Sequence, residues 1–298
     1  MIDLELYDNQ LTGSIPSEIG SLSSLTTLWL SYNSFNGTIP TEIGNLTNMI
    51  DLELFNNQLT GSIPSEIGLL SSLTTLYLYR NSFHGTIPSE IGILTNMIDL
   101  ILSNNQLTGS IPSEIGLLSS LATLLLYNNQ LTGSIPSEIA HLTNMSYLYL
   151  DDNQLTGSIP SEIGSLSSLT ALHLYRNSFN GTIPTEIGNL TNMLYLLLDY
   201  NQLTGIIPTQ LGRLQSLQSL GLSFNKLTGS IPTQFATLSN LYIININNNS
   251  LTGSVEGIFC PQHVFENPSG FSFTLQADCG KVNCSCCTVC CPNATAGC

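Results

Sequence analysis

Leu25-Thr-Thr-Leu28-Trp-Leu30-Ser-Tyr-Asn33-Ser-Phe35-Asn-Gly37-Thr-Ile39-Pro40-Thr-Glu-Ile43-Gly44-Asn-Leu46 is the stretch that decides the fold. In Leu28-Trp-Leu30 the two leucines of a short extended run face one way and Trp29 the other, because side chains alternate along a strand. Asn33 has counterparts at 9, 57, 81, 105, 129, 153, 177, 201, 225 and 249, an unbroken spacing of 24 residues. The apolar positions keep the same register, giving the frame L-x-x-L-x-L-x-x-N-x-L-T-G-x-I-P-x-x-I-G-x-L. A second period lies above it: Asn48-Met-Ile-Asp-Leu-Glu-Leu returns as Asn96-Met-Ile-Asp-Leu-Ile-Leu, as expected if the array grew by duplicating repeat pairs. Self-similarity at this period marks a solenoid, in which each repeat buries its apolar side against its neighbours.

The L-T-G-x-I-P run that follows each Asn resembles the plant-type extracellular leucine-rich repeat family of receptor-kinase ectodomains and secreted proteins. The resemblance covers residues 1 to about 258. The expected fold is an α/β repeat solenoid: a right-handed leucine-rich repeat superhelix with a parallel concave β-sheet, short 3-10 or helical turns on the convex side, and a Cys-rich C-terminal cap. Strands about 4.8 Å apart make a curved sheet roughly 50 Å long from eleven repeats, buried on the leucine side and open on the other. Residues 1–258 are expected to form the solenoid and 259–298 a Cys-rich disulfide cap or tail.

Several columns have structural work to do. An Asn carboxamide donates and accepts, so the Asn column satisfies backbone groups where the chain leaves the sheet. Gly13, Gly37 and Gly61 permit tight turns, and Pro16, Pro40 and Pro64 fix φ where the ladder stops. Phe35, Phe83 and Phe179 stand where other repeats have Leu and are read as core.

The function is expected on the outward strand positions, which in the second repeat are Thr26, Thr27, Trp29, Ser31 and Tyr32. Across the repeats these positions hold every Tyr and the single Trp, residues enriched at recognition hot spots. They are interleaved with carboxylates, including Asp3, Glu5, Asp51, Glu53, Asp99 and Asp199. The candidate ligand-binding residues are Trp29, Tyr77, Tyr79, Tyr127, Tyr147, Tyr149, Asp151, His173, Tyr175, Arg176 and Tyr195. The partner expected there is a protein, peptide or glycan, in a recognition module of receptor-like type. A secreted inhibitor of a cell-wall-degrading enzyme and an adhesion or structural wall protein are the alternatives. Ice binding ranks last, because the concave Thr26-Thr27 and Thr74-Thr75 pairs are interrupted by acidic and bulky repeats.

Charge narrows the partners. The 298 residues hold 20 Asp and Glu against 5 Lys and Arg, a formal net charge of -15 with only 8% charged residues. Such a surface repels phosphate, which excludes nucleic acid, and favours a basic or polar partner. No enzyme is expected: His84, His141, His173 and His263 are scattered singly, no nucleophile, base and acid recur together, and no phosphate-binding G-x-x-x-x-G-K is present. No cofactor or metal is assigned. Glu18, Glu42, Glu66, Glu90, Glu114, Glu138, Glu162 and Glu186 form a convex acidic column, read as a solvated face, with weak divalent-cation binding as its alternative.

All eight cysteines follow the repeats, at Cys260, Cys279, Cys284, Cys286, Cys287, Cys290, Cys291 and Cys298. An even count beside a solenoid end fits a disulfide-stapled cap, and 105 pairings are open; a soft-metal thiolate cluster is the rival. N-x-S/T sequons at Asn36, Asn45, Asn144, Asn180, Asn189, Asn248, Asn283 and Asn293 are candidate glycosylation sites. With the family resemblance they favour disulfides and an extracellular or cell-surface location. Met1-Ile-Asp-Leu-Glu-Leu aligns with Met49-Ile-Asp-Leu-Glu-Leu, so the chain is expected to start inside a repeat of a longer protein. A membrane would be met only through a segment outside this chain, because no run of 18 apolar residues spans a bilayer.

Overall fold

The computed structural model describes residues 2–259 and 274–290. They fall into two compact units, Met1–Gln154 and Leu155–Cys298. In the first unit the strands Asp3–Glu5, Thr27–Trp29, Asp51–Glu53, Thr75–Tyr77, Asp99–Ile101, Thr123–Leu125 and Tyr147–Tyr149 pair in parallel in chain order. The register advances by one repeat per strand, so Asp3, Thr27, Asp51, Thr75, Asp99, Thr123 and Tyr147 form one column. Glu5, Trp29, Glu53, Tyr77, Ile101, Leu125 and Tyr149 form the next. The second unit pairs Ala171–His173, Tyr195–Leu197, Ser219–Gly221, Ile243–Asn245, Thr274–Ala277 and Val289–Cys290 in the same way.

The inward leucines carry the core: Leu28, Leu52, Leu76 and Leu100 are fully buried, each contributing roughly 1.5–3 kcal/mol of transfer free energy. Phe35, Phe83 and Phe179 are buried as expected. Opposite the strands, each of the first ten repeats makes a five-residue 3-10 turn such as Ser65–Leu69, started by Pro64 (φ -69°) and closed by Ile67 N–H donating to Pro64 O at 3.1 Å. Glycine fits closely inside most of these turns, where a Cβ on Gly68 would lie 2.7 Å from Glu90 O, while Ala140 and Ala236 hold the same place in their own turns.

The Asn column does what the sequence implied. Asn129 Oδ1 accepts from Leu107 N–H at 3.0 Å, and its Nδ2 donates to Leu102 O and Leu126 O, both at 3.1 Å. Each Asn from Asn33 onward thereby ties its own repeat to the one before. The residue preceding it adopts a left-handed backbone at every repeat, from Asp8 (φ 53°) to Asn248 (φ 55°). Asn and Asp tolerate that region, but Tyr32, Arg80, Arg176, Tyr200 and Phe224 adopt it too, each at roughly 1–2 kcal/mol. This column is a structural feature that the sequence reading missed.

The cysteine-bearing segment does more than staple the end. Thr274–Ala277 extends the parallel sheet beyond Ile243–Asn245, and Val282–Asn283 pairs with Ser250–Ser254. Leu275, Ala277 and Val282 are buried with Val255, Ile258 and Phe259. Asp278 stands in for backbone carbonyls at the end of the array: its carboxylate accepts from Asn248 N–H at 2.9 Å and Asn249 N–H at 3.2 Å, donors whose counterparts Phe224 N–H and Asn225 N–H bond to Asn247 O and Asn248 O. Cys284 and Cys287 are disulfide-bonded with Cα atoms 5.7 Å apart, and Cys279 and Cys286 are also in disulfides. These sulfurs are therefore not thiolate ligands. Cys260, Cys291, Cys298 and Asn293, and the side chain of Cys290, lie outside the described residues.

Candidate concave binding faces

In the first unit the outward columns make an acidic, aromatic surface. Glu53 stands in register between Trp29 and Tyr77, and Asp51 and Asp99 flank Thr75 in the adjoining column. Edge-on to Trp29 lies Tyr7, with ring centres 6.0 Å apart. Phe55 stacks on Tyr79 at 4.3 Å and meets Tyr32 edge-on at 5.2 Å. The packing desolvates the carboxylates. Burial, with Asp51 nearby, pushes Glu53 up to about 7. Asp51 is also raised by burial; the Trp29 indole N–H opposes the rise and Asp99 adds to it. Trp29 Nε1 and Asp51 Oδ1 are buried without completing a hydrogen bond. Tyr77 and Tyr79 are both driven up to about 12, chiefly by burial.

One part of the expected face is closed. Ser31, Phe55, Ser103 and Asp151, all at the position after the second inward leucine, are buried, Asp151 to 3% exposure. Phe55 is covered by Tyr32 and Tyr79, while Tyr79, Tyr127 and Tyr175, at the same position of their own repeats, are half-buried. Asp151 was expected to face a ligand and is instead enclosed. Trp29, Tyr77, Tyr79, Tyr127 and Tyr149 are half-buried, and Tyr147 is exposed. Tyr147 meets Tyr149 edge-on at 6.2 Å.

The second unit carries the remaining candidates. Tyr195 donates its hydroxyl to Gln218 Oε1 at 3.1 Å. His173 is half-buried and held down at about 4 by burial, so it is neutral at physiological pH. Arg176 is exposed, with its guanidinium 5.7 Å from the centre of the Tyr200 ring. Tyr200 in turn stacks on Phe224 at 4.1 Å. Beside them opens a pit of about 500 Å³ over Ser219 and Ser223, which no sequence motif announced.

A leucine-rich repeat profile matches residues 2–22, 24–46, 48–70, 72–94, 192–214 and 216–238, and a leucine-rich repeat region profile matches 100–202. The chain belongs to the leucine-rich repeat family. Among solved structures it is similar to the plant peptide hormone receptor RGFR1 in complex with RGF2, at 35% identity over 87% of this chain and 46% of that one, TM-score 0.77. It is likewise similar to the ectodomain of the membrane receptor kinase GASSHO1/SCHENGEN3 from Arabidopsis thaliana bound to CASPARIAN STRIP INTEGRITY FACTOR 2, at 37% identity over 85% of this chain and 33% of that one, TM-score 0.78. A plant ice-binding protein matches at 31% identity over 84% of this chain and 81% of that one, TM-score 0.68. The chain therefore spans a third to a half of these two receptor chains. No curated protein matches it in sequence.

Other surfaces of this leucine-rich repeat protein are simpler. Asn36, Asn45, Asn144, Asn180, Asn189 and Asn283 are exposed, whereas Asn248 is half-buried in the left-handed column. Among the described residues no three His, Cys, Asp or Glu side chains converge as a metal site would require, the convex Glu column included. A lateral ladder also emerges that was not weighed from the sequence. Thr12-Gly13-Ser14, Thr60-Gly61-Ser62 and Thr132-Gly133-Ser134 hold their Ser and Thr exposed, interrupted by Asn36 and His84. Thr60 N–H donates to Gly37 O at 2.7 Å within this ladder.

Proposed function

We propose that this chain is a non-enzymatic recognition segment of an extracellular leucine-rich repeat protein, and that its first unit binds an extended peptide with a basic side chain seated over Trp29, Glu53 and Tyr77. The observation that carries this reading is Glu53, a desolvated carboxylate set in register between two aromatic rings. A guanidinium or ammonium there gains a charge-assisted hydrogen bond and the attraction of the ring faces together. Asp51 and Asp99 extend the negative field along the next column, and Tyr79, Tyr127, Tyr147 and Tyr149 supply apolar contact for the rest of the peptide. The likeness to the plant peptide hormone receptor RGFR1 supports the ligand class, and the likeness to the ectodomain of the membrane receptor kinase GASSHO1/SCHENGEN3 supports the location. His173, Tyr175, Arg176 and Tyr195 belong to the second unit and serve a separate contact.

Trp29 is the single Trp, so its fluorescence reports this site alone. Titration with short neutral peptides and with the same peptides carrying one Arg or Lys is expected to change Trp29 emission only for the basic ones. Binding that leaves Trp29 emission unchanged and survives Tyr77→Ala would place the site elsewhere. Ice binding is a second reading, favoured by the lateral Ser/Thr ladder and by the likeness to the plant ice-binding protein. Thermal hysteresis of the purified chain, abolished by Thr60→Leu with Thr132→Leu, would support it; none at millimolar protein would dismiss it.

A further inference from the structure

In the second unit one strand lacks bulk on its outward side. Ser219, Gly221 and Ser223 occupy the outward positions of Ser219-Leu220-Gly221-Leu222-Ser223, where the preceding repeat has Tyr195, Leu197 and Asp199. The following repeat brings Ile243, Asn245 and Asn247 alongside. The small side chains of Ser219 and Ser223 leave a pit of about 500 Å³, within the size range of small-ligand sites.

Its walls are built. Asp199 Oδ1 accepts from Ser223 N–H at 2.9 Å. Its Oδ2 reaches across the strand into the space a side chain on Gly221 would fill, so that a Cβ built on Gly221 overlaps it. Ser223 Oγ donates to Asn247 Oδ1 at 2.6 Å, which fixes a carboxamide that is 1% exposed. Asn245 Oδ1 is buried with no hydrogen-bond partner, and Gln276 adds a further carboxamide to the lining. Tyr175 and the stacked Tyr200 and Phe224 rings form the aromatic side.

Charge selects among occupants. A phosphate or carboxylate would be repelled by Asp199, and a cation would meet the Arg176 guanidinium at the rim over Tyr200. What remains complementary is a neutral group with several hydroxyls, since carboxylate and carboxamides offer donors and acceptors in pairs while aromatic rings pack on a C–H face. We infer that this pit is a carbohydrate subsite that holds one neutral pyranose ring, with Asp199 and Asn245 accepting from its hydroxyls and the small Ser219 and Ser223 side chains leaving its room. Burial pushes Asp199 up to about 6, so the carboxylate is the form present at neutral pH. The site is independent of the peptide reading, which concerns the first unit alone.

The test is saturation-transfer NMR on the full chain with a panel of methyl pyranosides (gluco, galacto, manno and xylo, both anomers), with N-acetylarginine amide as the cationic probe. At least one glycoside is expected to bind at millimolar concentration. Its affinity should fall at least tenfold in Ser219→Leu, which fills the pit, and in Asp199→Asn, which keeps the shape and removes the charge. Glu53→Gln should leave it unchanged. If Ser219→Leu fails to fold, Asn245→Leu takes its place with the same expected loss. Binding by no glycoside, binding that these variants retain, or preference for the arginine probe would each overturn the inference.

Discussion

Glu53→Gln is the substitution on which the peptide reading turns most sharply. The folded group titrates at about 7, so at pH 8.5 it is a carboxylate and at pH 5.5 it is about 3% ionised. A cation about 4 Å away gains roughly 4 kcal/mol at an effective dielectric of 20, and solvent around a half-exposed pair reduces this to about 1–2 kcal/mol. The variant should therefore bind an Arg-bearing peptide about five- to thirtyfold more weakly at pH 8.5 and almost as well as wild type at pH 5.5. Wild-type affinity should rise through pH 7 and level off, whereas that of the variant should stay flat. Trp29 emission titrated at both pH values, at low and high salt, measures all of this. Equal affinities for the two proteins at pH 8.5, or an unchanged gap at pH 5.5, would refute the assignment of Glu53 to the bound cation.

The same substitution bears on stability. A carboxylate whose folded pKa is raised favours folding most below its unfolded pKa and loses that contribution as pH climbs through the folded value. Glu53→Gln should thus raise the melting temperature at pH 8.5 and leave it unchanged at pH 4, with a gain of about 1 kcal/mol after solvent screening. Asn129→Ala strands a backbone N–H and two carbonyls in the interior and should cost about 2–4 kcal/mol in urea unfolding; a loss below 0.5 kcal/mol, on the order of a surface change, would remove the ladder argument. Gly68→Ala drives a methyl group against the Glu90 carbonyl and should destabilise by about 1–3 kcal/mol, while Gly257→Ala, with open space around it, should not. Arg80→Asn keeps the left-handed backbone (φ 53°) with a residue suited to it and should stabilise by roughly 0.5–1 kcal/mol, a fraction of the left-handed penalty; destabilisation would show that the Arg80 side chain is held by contacts worth more than the strain.

The 24-residue period, the inward leucines, the prolines that open each turn and the structural role of the Asn column were legible in the chain, because each is a local rule repeated in every coil. Leu28-x-Leu30 must put both leucines on one side of a strand whatever surrounds it, and a carboxamide at position 33 always finds the same backbone groups. The cap was legible only as a cluster of cysteines. That Thr274–Ala277 extends the sheet, and that the Asp278 carboxylate stands in for backbone carbonyls there, required the fold to bring the segment against Ile243–Asn245. What a concave residue exposes was decided by neighbours 24 and 48 positions away. Phe55 and Asp151 sit in outward positions of the pattern yet are enclosed, and the small Ser219 and Ser223 make a pit only because Asp199, Asn245 and the Tyr200 and Phe224 rings stand around them. A pattern fixes which way a side chain points, whereas tertiary packing fixes what stands next to it, and the binding chemistry depends on the second.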